Sequence, residues 1–276
     1  MSNEKQSDIE TVIDQGPVLL TIEQQQIAHI RLNRPDAANG MSVPLLRQLY
    51  DAVMVCHGDP RLRVVILSGA GAHFCAGGDV RDFAAKGEQL PDYLRQATSY
   101  LQIVSAALFR LNQPVIASVQ GFAAGGGGLG LVCAADLVIA ADDASFMAGA
   151  TRVGMAPDAG TSVTLQRIVG LRRAMDMLLN NPVVSAAQAR DMGLVNRLCP
   201  ASELAARTLD WARQLASGAP LALAATKRLL WNGVGLSVEA CLPEESRTVS
   251  ELSGSADARE GLAAVIGKRK PVFRGR

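Results

Sequence analysis

A lone carboxylate and two loops of small residues are the parts of this chain that could do chemistry. Asp158 stands in Met155-Ala156-Pro157-Asp158-Ala159-Gly160, bracketed by apolar and small residues. A carboxylate in an apolar pocket is desolvated and gains basicity, which suits it to carry a proton. An aspartate ahead of Ala-Gly-Thr also reads as a turn residue or the N-cap of a following helix, and the residues alone leave both readings open. Four glycines, Gly125 to Gly128, come after the apolar run Val115–Val119 and before the helix-like Leu129–Ala135. Backbone N–H groups without side-chain cover at a helix start favour a negative oxygen. A second loop, His73-Phe74-Cys75-Ala76-Gly77-Gly78-Asp79, follows another apolar run, Val64–Leu67. One N–H from each loop would hold a carbonyl oxygen that becomes anionic during reaction, as a thioester's does on enolisation. A dinucleotide loop or tight helix packing would also use such glycines, but a Gly-x-Gly-x-x-Gly after the first strand is missing.

Three runs that place these loops, Val64–Leu67, Val115–Val119 and Leu137–Ala140, are near-continuously apolar, as strands covered on both faces are. Between the first two, Leu94, Ala97, Leu101, Val104, Leu108 and Leu111 recur every three or four residues and predict a helix over Asp92 to Asn112. Ser42 as N-cap and Pro44 in the first turn announce an earlier helix with the stripe Leu45, Leu49, Val53 and Cys56. Alternating strands and helices give an α/β class. From Leu171 onward the pattern is helical almost throughout, with a strand-like pulse at Gly193-Leu194-Val195.

The 276 residues are 49% hydrophobic and 19% charged, enough for a sizeable core, and the net charge of +1 gives no field for nucleic acid or a membrane surface. Five scattered cysteines without a Cys-x-x-Cys pair read as buried thiols in a reducing compartment. Residues Met1–Ile13 are polar and acidic, lack the pattern of a secretory signal, and read as a loose tail. The apolar runs fall short of the ~20 residues of a membrane span, so the expectation is a soluble, cytoplasmic protein. No ligand cluster implies a metal or redox cofactor. His29, His57 and His73 have no catalytic pattern.

Taken in order, these pieces resemble the crotonase (enoyl-CoA hydratase/isomerase) superfamily. The resemblance runs from Ile27-Ala-His-Ile-Arg-Leu-Asn-Arg-Pro35 through both loops to Gly193-Leu-Val-Asn-Arg197 and the C-terminal helices. It implies a spiral of ββα turns over residues 14–200, a helical region over 201–276 that builds trimers or dimers of trimers, and acyl-coenzyme A thioesters as substrates, the coenzyme being part of the substrate. Carried over, the first oxyanion-hole amide falls on Gly78. The second falls on Gly127 counted back from Asp136, or on Gly126 counted forward from Gly121, because the loop has one residue more than usual. Ala76 and Arg81 match positions along the nucleotide part of coenzyme A. Lys268-Arg269-Lys270-Pro271-Val272-Phe273 resembles a segment that reaches the coenzyme from a neighbouring subunit.

The chain departs from the hydratase pattern at its acids. The two water-activating glutamates of hydratases are replaced by Gly130 and Ala150, whereas Pro157-Asp158-Ala159-Gly160 matches the single-aspartate isomerase branch, similar to the ring-epoxide phenylacetyl-CoA isomerase and the Δ3,Δ2-enoyl-CoA isomerases. A 4-chlorobenzoyl-CoA dehalogenase is similar around Arg167–Ala174 but needs a tryptophan where Ala150 stands and a histidine on the Asp92–Asn112 helix. The resemblance therefore implies an isomerase with Asp158 as acid/base and Gly78 with Gly127 as the oxyanion hole. The rivals are a hydratase-like lyase in which Asp158 works with water, and a catalytically silent scaffold that binds acyl-CoA or RNA.

Overall fold

The computed structural model describes residues 9–24 and 26–276. The first half of the chain runs β1 (Ile9–Ile13), β2 (Val18–Glu23), β3 (Ile27–Leu32), α1 (Val43–Gly58), β4 (Val64–Gly69), α2 (Val80–Ala85), α3 (Leu90–Arg110), β5 (Val115–Val119), β6 (Phe122–Ala124) and α4 (Gly125–Ala134). Then come β7 (Leu137–Ala141), β8 (Ser145–Met147), α5 (Thr161–Val169), α6 (Leu171–Leu179), β9 (Val184–Ser185), α7 (Ala186–Asp191) and β10 (Arg197–Cys199). Four helices close the chain: α8 (Leu204–Ala216), α9 (Pro220–Gly233), α10 (Val238–Ser253) and α11 (Ala256–Ile266). The main sheet has the order β1-β2-β3-β4-β5-β7-β10, and β6-β8-β9 form a smaller sheet. Strands β1 to β3 pair antiparallel, and β3, β4, β5, β7 and β10 run parallel. The C-terminal ends of β4 and β5 thus lie side by side, where parallel sheets place their ligands.

The expected strands and helices form where their side chains can be covered. Strands β4 and β5 are buried along their whole length. In α1 the Ser42 side chain accepts the Leu45 amide, and Leu45, Leu49, Val53 and Cys56 are buried. Helix α3 buries Ala97, Leu101, Val104 and Leu108, the stripe read from the sequence.

Five expectations change. Ile9–Ile13, read as tail, form β1 against β2, because Ile9, Thr11 and Ile13 suit an edge strand despite its mostly exposed side chains; the rest of the tail lies outside the described residues. The glycine run is the first turn of α4 rather than a loop before it, as packing overrides glycine's poor helix propensity. A Cβ on Gly127 would sit 2.5 Å from Met41 Cγ, and one on Gly128 would run into the Cys75 carbonyl. The strand near Gly193 is instead β10 at Arg197–Cys199, which pairs with β7, while Leu194 and Val195 are buried in a turn. Asp158 does not cap a helix: α5 begins after Gly160, whose left-handed φ of 78° turns the chain.

The fifth change concerns the boundary at residue 201. Helix α8 lies across β3, β4, β5 and β7, with Trp211 buried, so it belongs to the core. Its Thr208 Oγ1 pairs with Ser118 Oγ of β5 at 2.9 Å. The following helix is tied in by a buried ion pair, Lys227 Nζ to Asp136 Oδ2 at 2.7 Å, while Trp231 Nε1 donates to Asp136 Oδ1 at 2.7 Å. Lys227 also donates to the Leu108 and Gln113 carbonyls, so a cation forced from water by burial keeps its partners.

Candidate functional site

The first wall of the site is the turn after β4. The Phe74 and Cys75 amides donate to the Gln120 and Phe122 carbonyls, and the Ala76 amide to the Ala38 carbonyl. Met41 then brackets the end of the loop, its amide donating to the Gly77 carbonyl and its carbonyl accepting the Asp79 amide. Asn39, fully buried, spans the gap: Nδ2 donates to the Ala70 and His73 carbonyls at 2.9 and 2.8 Å, and Oδ1 accepts the Arg34 amide at 2.8 Å. Arg34 continues the brace through Nη2 to Asp79 Oδ2 at 2.9 Å. In this web the Gly78 amide has no acceptor among the described residues.

The second amide source is the start of α4. The first-turn amides of a helix have no intrahelical acceptor, which leaves Gly126 and Gly127 available as donors, while Gly125 sits at the end of the β6–β8 pairing. The two walls touch: a Cβ on Gly125 would lie 3.2 Å from Gly77 Cα and 3.9 Å from the Gly78 nitrogen. Gly77 at φ 101° and Gly125 at φ 60° use left-handed backbone that favours glycine. Beneath them Cys75 is fully buried, and desolvation pushes its thiol up to about 12, so it stays a neutral packing group.

Asp158 faces these amides from the segment between β8 and α5. Its own carbonyl accepts the Thr161 amide and hydroxyl at 2.9 and 2.7 Å, and left-handed Ala159 (φ 53°) and Gly160 complete the turn. The half-buried carboxylate has no ion pair and no hydrogen bond to another side chain among the described residues; burial, the larger effect, raises its pKa, and its own backbone amide opposes that. Its Oδ1 fills the space a Cβ on Gly126 would take.

Gly78, Gly126, Gly127, Ala76 and Asp158 line one cavity of about 610 Å³. Ala150 lines it too and offers no acid. Gly130 lies behind it, where a Cβ would be 2.6 Å from the Ala159 Cβ, so a glutamate has no room in this backbone. Arg81, exposed on α2, is not in the lining, and neither are Lys268 and Phe273 of the same chain. Phe273 instead packs beside Gly261, and its carbonyl accepts Arg63 Nη2 at 2.9 Å. The histidines stay outside the lining: His29 meets Ser68 Oγ at 2.7 Å and His57 the Ala107 carbonyl at 3.0 Å. The cavity also takes in Met41, Leu46, Phe83, Leu94, Ala97 and Leu101. Sequence periodicity assigns Leu94, Ala97 and Leu101 to the core, because a pocket wall and a core face share the same helical spacing. Among the described residues no group of His, Cys, Asp or Glu is placed to hold a metal, and no helix is long and apolar enough to cross a membrane.

An amide-lined corner at the ends of parallel strands, faced by one desolvated carboxylate, has the groups that could hold a developing oxyanion and move a proton. The enoyl-CoA hydratase/isomerase family model matches residues 22–276, and the chain belongs to that family, with the crotonase α/β fold and its helical C-terminal region. A Rhodobacter capsulatus protein named "Probable enoyl-CoA hydratase" is 38% identical over 91% of this chain and 95% of its own length. The 2,3-dehydroadipyl-CoA hydratase of Escherichia coli is 35% identical over 94% of this chain and 99% of its own length. The crystal structure of a Bacillus anthracis enoyl-CoA hydratase superposes with a TM-score of 0.87 at 31% identity, covering 96% of this chain and 99% of that one.

Proposed function

We propose that this protein is an acyl-CoA isomerase that moves a double bond through a thioester enolate, with Asp158 as the one acid/base. The carrying observation is that Asp158 is the sole carboxylate in the cavity lining among the described residues, while Gly130 is backed by Ala159 and Ala150 carries no acid. Asp158 takes a proton from the α carbon, the enolate oxygen rests on the amides of Gly78 and of Gly127 or its neighbour Gly126, and Asp158 returns the proton at the γ carbon. Each donor lowers the barrier by about 3–4 kcal/mol, and the base contributes about two to four powers of ten in rate. The elevated pKa of Asp158 fits a group that both accepts and donates. The coenzyme A moiety enters as substrate, with Ala76 at the cavity wall and Arg81 outside it; Lys268 and Phe273 could serve only from another subunit.

The test is Asp158→Asn, which keeps shape and hydrogen bonding but removes the base. Double-bond migration in β,γ-enoyl-CoA should fall at least about a hundredfold while acyl-CoA affinity changes little. A fully active variant returns Asp158 to a structural part. The names of the relatives favour hydration as the second reading, with Asp158 activating water. Incubating the wild type with a small panel of enoyl-CoAs separates the two: migrated alkene with α-carbon deuterium exchange supports isomerisation, and a 3-hydroxyacyl product supports hydration. A silent scaffold gives neither.

The same reading includes assembly as a trimer or a dimer of trimers. Leu230, Val238, Leu242, Val249, Leu262 and Ile266 on α9 to α11 are 52–82% exposed, more apolar surface than a lone chain usually leaves in water. Trp211 and Trp231, by contrast, are already engaged within the chain. A native mass near three or six chains at micromolar concentration is expected, and a monomer contradicts it.

A further inference from the structure

The cavity has a rim and a closed arm of different chemistry. Val153 and Arg152 are exposed at the rim, whereas Met41, Leu46, Ala97 and Leu101 are 1–5% exposed and wall an arm that reaches between α1 and α3. On α3 the spacing Leu94, Ala97, Leu101 places one small residue between two large ones on the cavity face, leaving space at Ala97. The charged residues of the lining, among the described residues, are Asp158 and Arg152. Arg152 gives Nη2 to the Asn181 carbonyl at 2.9 Å, and the Thr98 hydroxyl donates to the Leu94 carbonyl at 2.7 Å. The arm therefore offers an anion no cationic partner, and the nearest ionisable neighbour of the reacting carbons is another carboxylate.

We infer that the site accepts uncharged, apolar acyl groups, rejects acyl chains that end in a carboxylate, and has Ala97 as the residue that sets the acyl length it can bury. The inference rests on the acyl-CoA reading above and deepens it by naming the class of acyl group. A terminal carboxylate in the arm would lose its hydration without gaining a donor, and it would add a second negative charge to the cavity that holds Asp158. An aliphatic or aromatic end meets leucine and methionine side chains and gains by burial. Ala97 packs in a buried helix face, so a longer side chain there grows into the arm rather than into solvent.

Calorimetric titration of the unaltered protein with hexanoyl-CoA and adipoyl-CoA tests the charge rule, since the two share a six-carbon chain and differ at its end. Hexanoyl-CoA should bind at least tenfold more tightly, and any smaller difference overturns the inference. Parity that disappears in Arg152→Ala overturns it in a specific way, by placing the chain along the rim. For the length rule, Ala97→Leu should weaken octanoyl-CoA at least tenfold and change butyryl-CoA less than threefold; equal effects on both ligands overturn the part assigned to Ala97. The first comparison needs no variant, so it stands if Ala97→Leu folds poorly. If neither hexanoyl-CoA nor adipoyl-CoA binds more tightly than free coenzyme A, the acyl-CoA reading itself fails, a result distinct from a preference in the wrong direction.

Discussion

The two walls of the cavity are built on opposite plans. The amide wall, residues 73–79 against the start of α4, is braced from three directions: the β5–β6 connection, the segment 38–41, and the Asn39 side chain. The acid wall, residues 149–160, is a connecting segment with half of its residues exposed, held chiefly by Asn181, whose Oδ1 accepts the Gly149 amide at 2.6 Å, and by the Thr161 bonds to the Asp158 carbonyl. The contrast follows from what each wall supplies. Backbone donors act by being fixed before charge develops, so any looseness costs their effect. In the proposed isomerisation the carboxylate would reach two carbons of a substrate, which needs freedom of its side chain, and Asp158 has no other side chain as partner among the described residues.

Removing the brace of the amide wall should have the largest effect. Asn39→Ala leaves the Arg34 amide and the Ala70 carbonyl without their partner and the His73 carbonyl with only a 3.5 Å contact to Gln120 Nε2, a loss of about 3 kcal/mol in urea unfolding. A loss under about 1 kcal/mol would mean the remaining backbone bonds suffice and would erase the difference between the walls. Gly126→Ala probes the line where the walls meet. Its methyl displaces the Asp158 carboxylate, the mobile end of a side chain, so kcat should drop ten- to a hundredfold, about 1.4–2.7 kcal/mol in barrier, with the unfolding midpoint nearly unchanged. A variant that loses stability but not rate would show a rigid acid wall.

The smallest effect is on stability against pH. Because the native pKa of Asp158 is raised by burial, the folded state binds the proton more tightly than the unfolded state does. Its ionisation therefore costs stability as pH rises from the ordinary carboxylate range through the native value. Asp158→Asn should melt slightly higher than wild type at pH 7.5, and that advantage should vanish at pH 3, where both states of the wild type are protonated. A variant that melts lower at pH 7.5 would give the carboxylate a stabilising partner in the fold.

Strands and amphipathic helices were legible because burial imposes a period that composition reveals, as in α1 and α3. The glycine run is legible as chemistry but not as structure: propensity argues against helix at Gly125–Gly128, and what decides it is the approach of Met41 to Gly127 and of the Cys75 carbonyl to Gly128, 86 and 53 positions upstream in sequence. Edge strand β1 was hidden by its polar residues, since an exposed strand need not be apolar. The sequence at Asp158 suits a turn or a cap equally, and the left-handed Gly160 ahead of α5 decides for the turn. The acyl arm stayed hidden because Ala97 and Leu101 look like any core stripe, and only a missing neighbour makes a stripe a wall.

Asp136 ties together segments that are far apart in the chain. The residue stands just past the end of α4, yet Lys227 and Trp231, which satisfy its carboxylate, come 91 and 95 residues later. The Val115 amide also donates to Asp136 Oδ2 at 2.7 Å, so one carboxylate joins β5, the end of α4 and α9. The helix bearing the Gly126 and Gly127 amides is thus fixed at its C-terminal end by side chains from a helix 91 to 95 positions further along, so its final placement depends on α9.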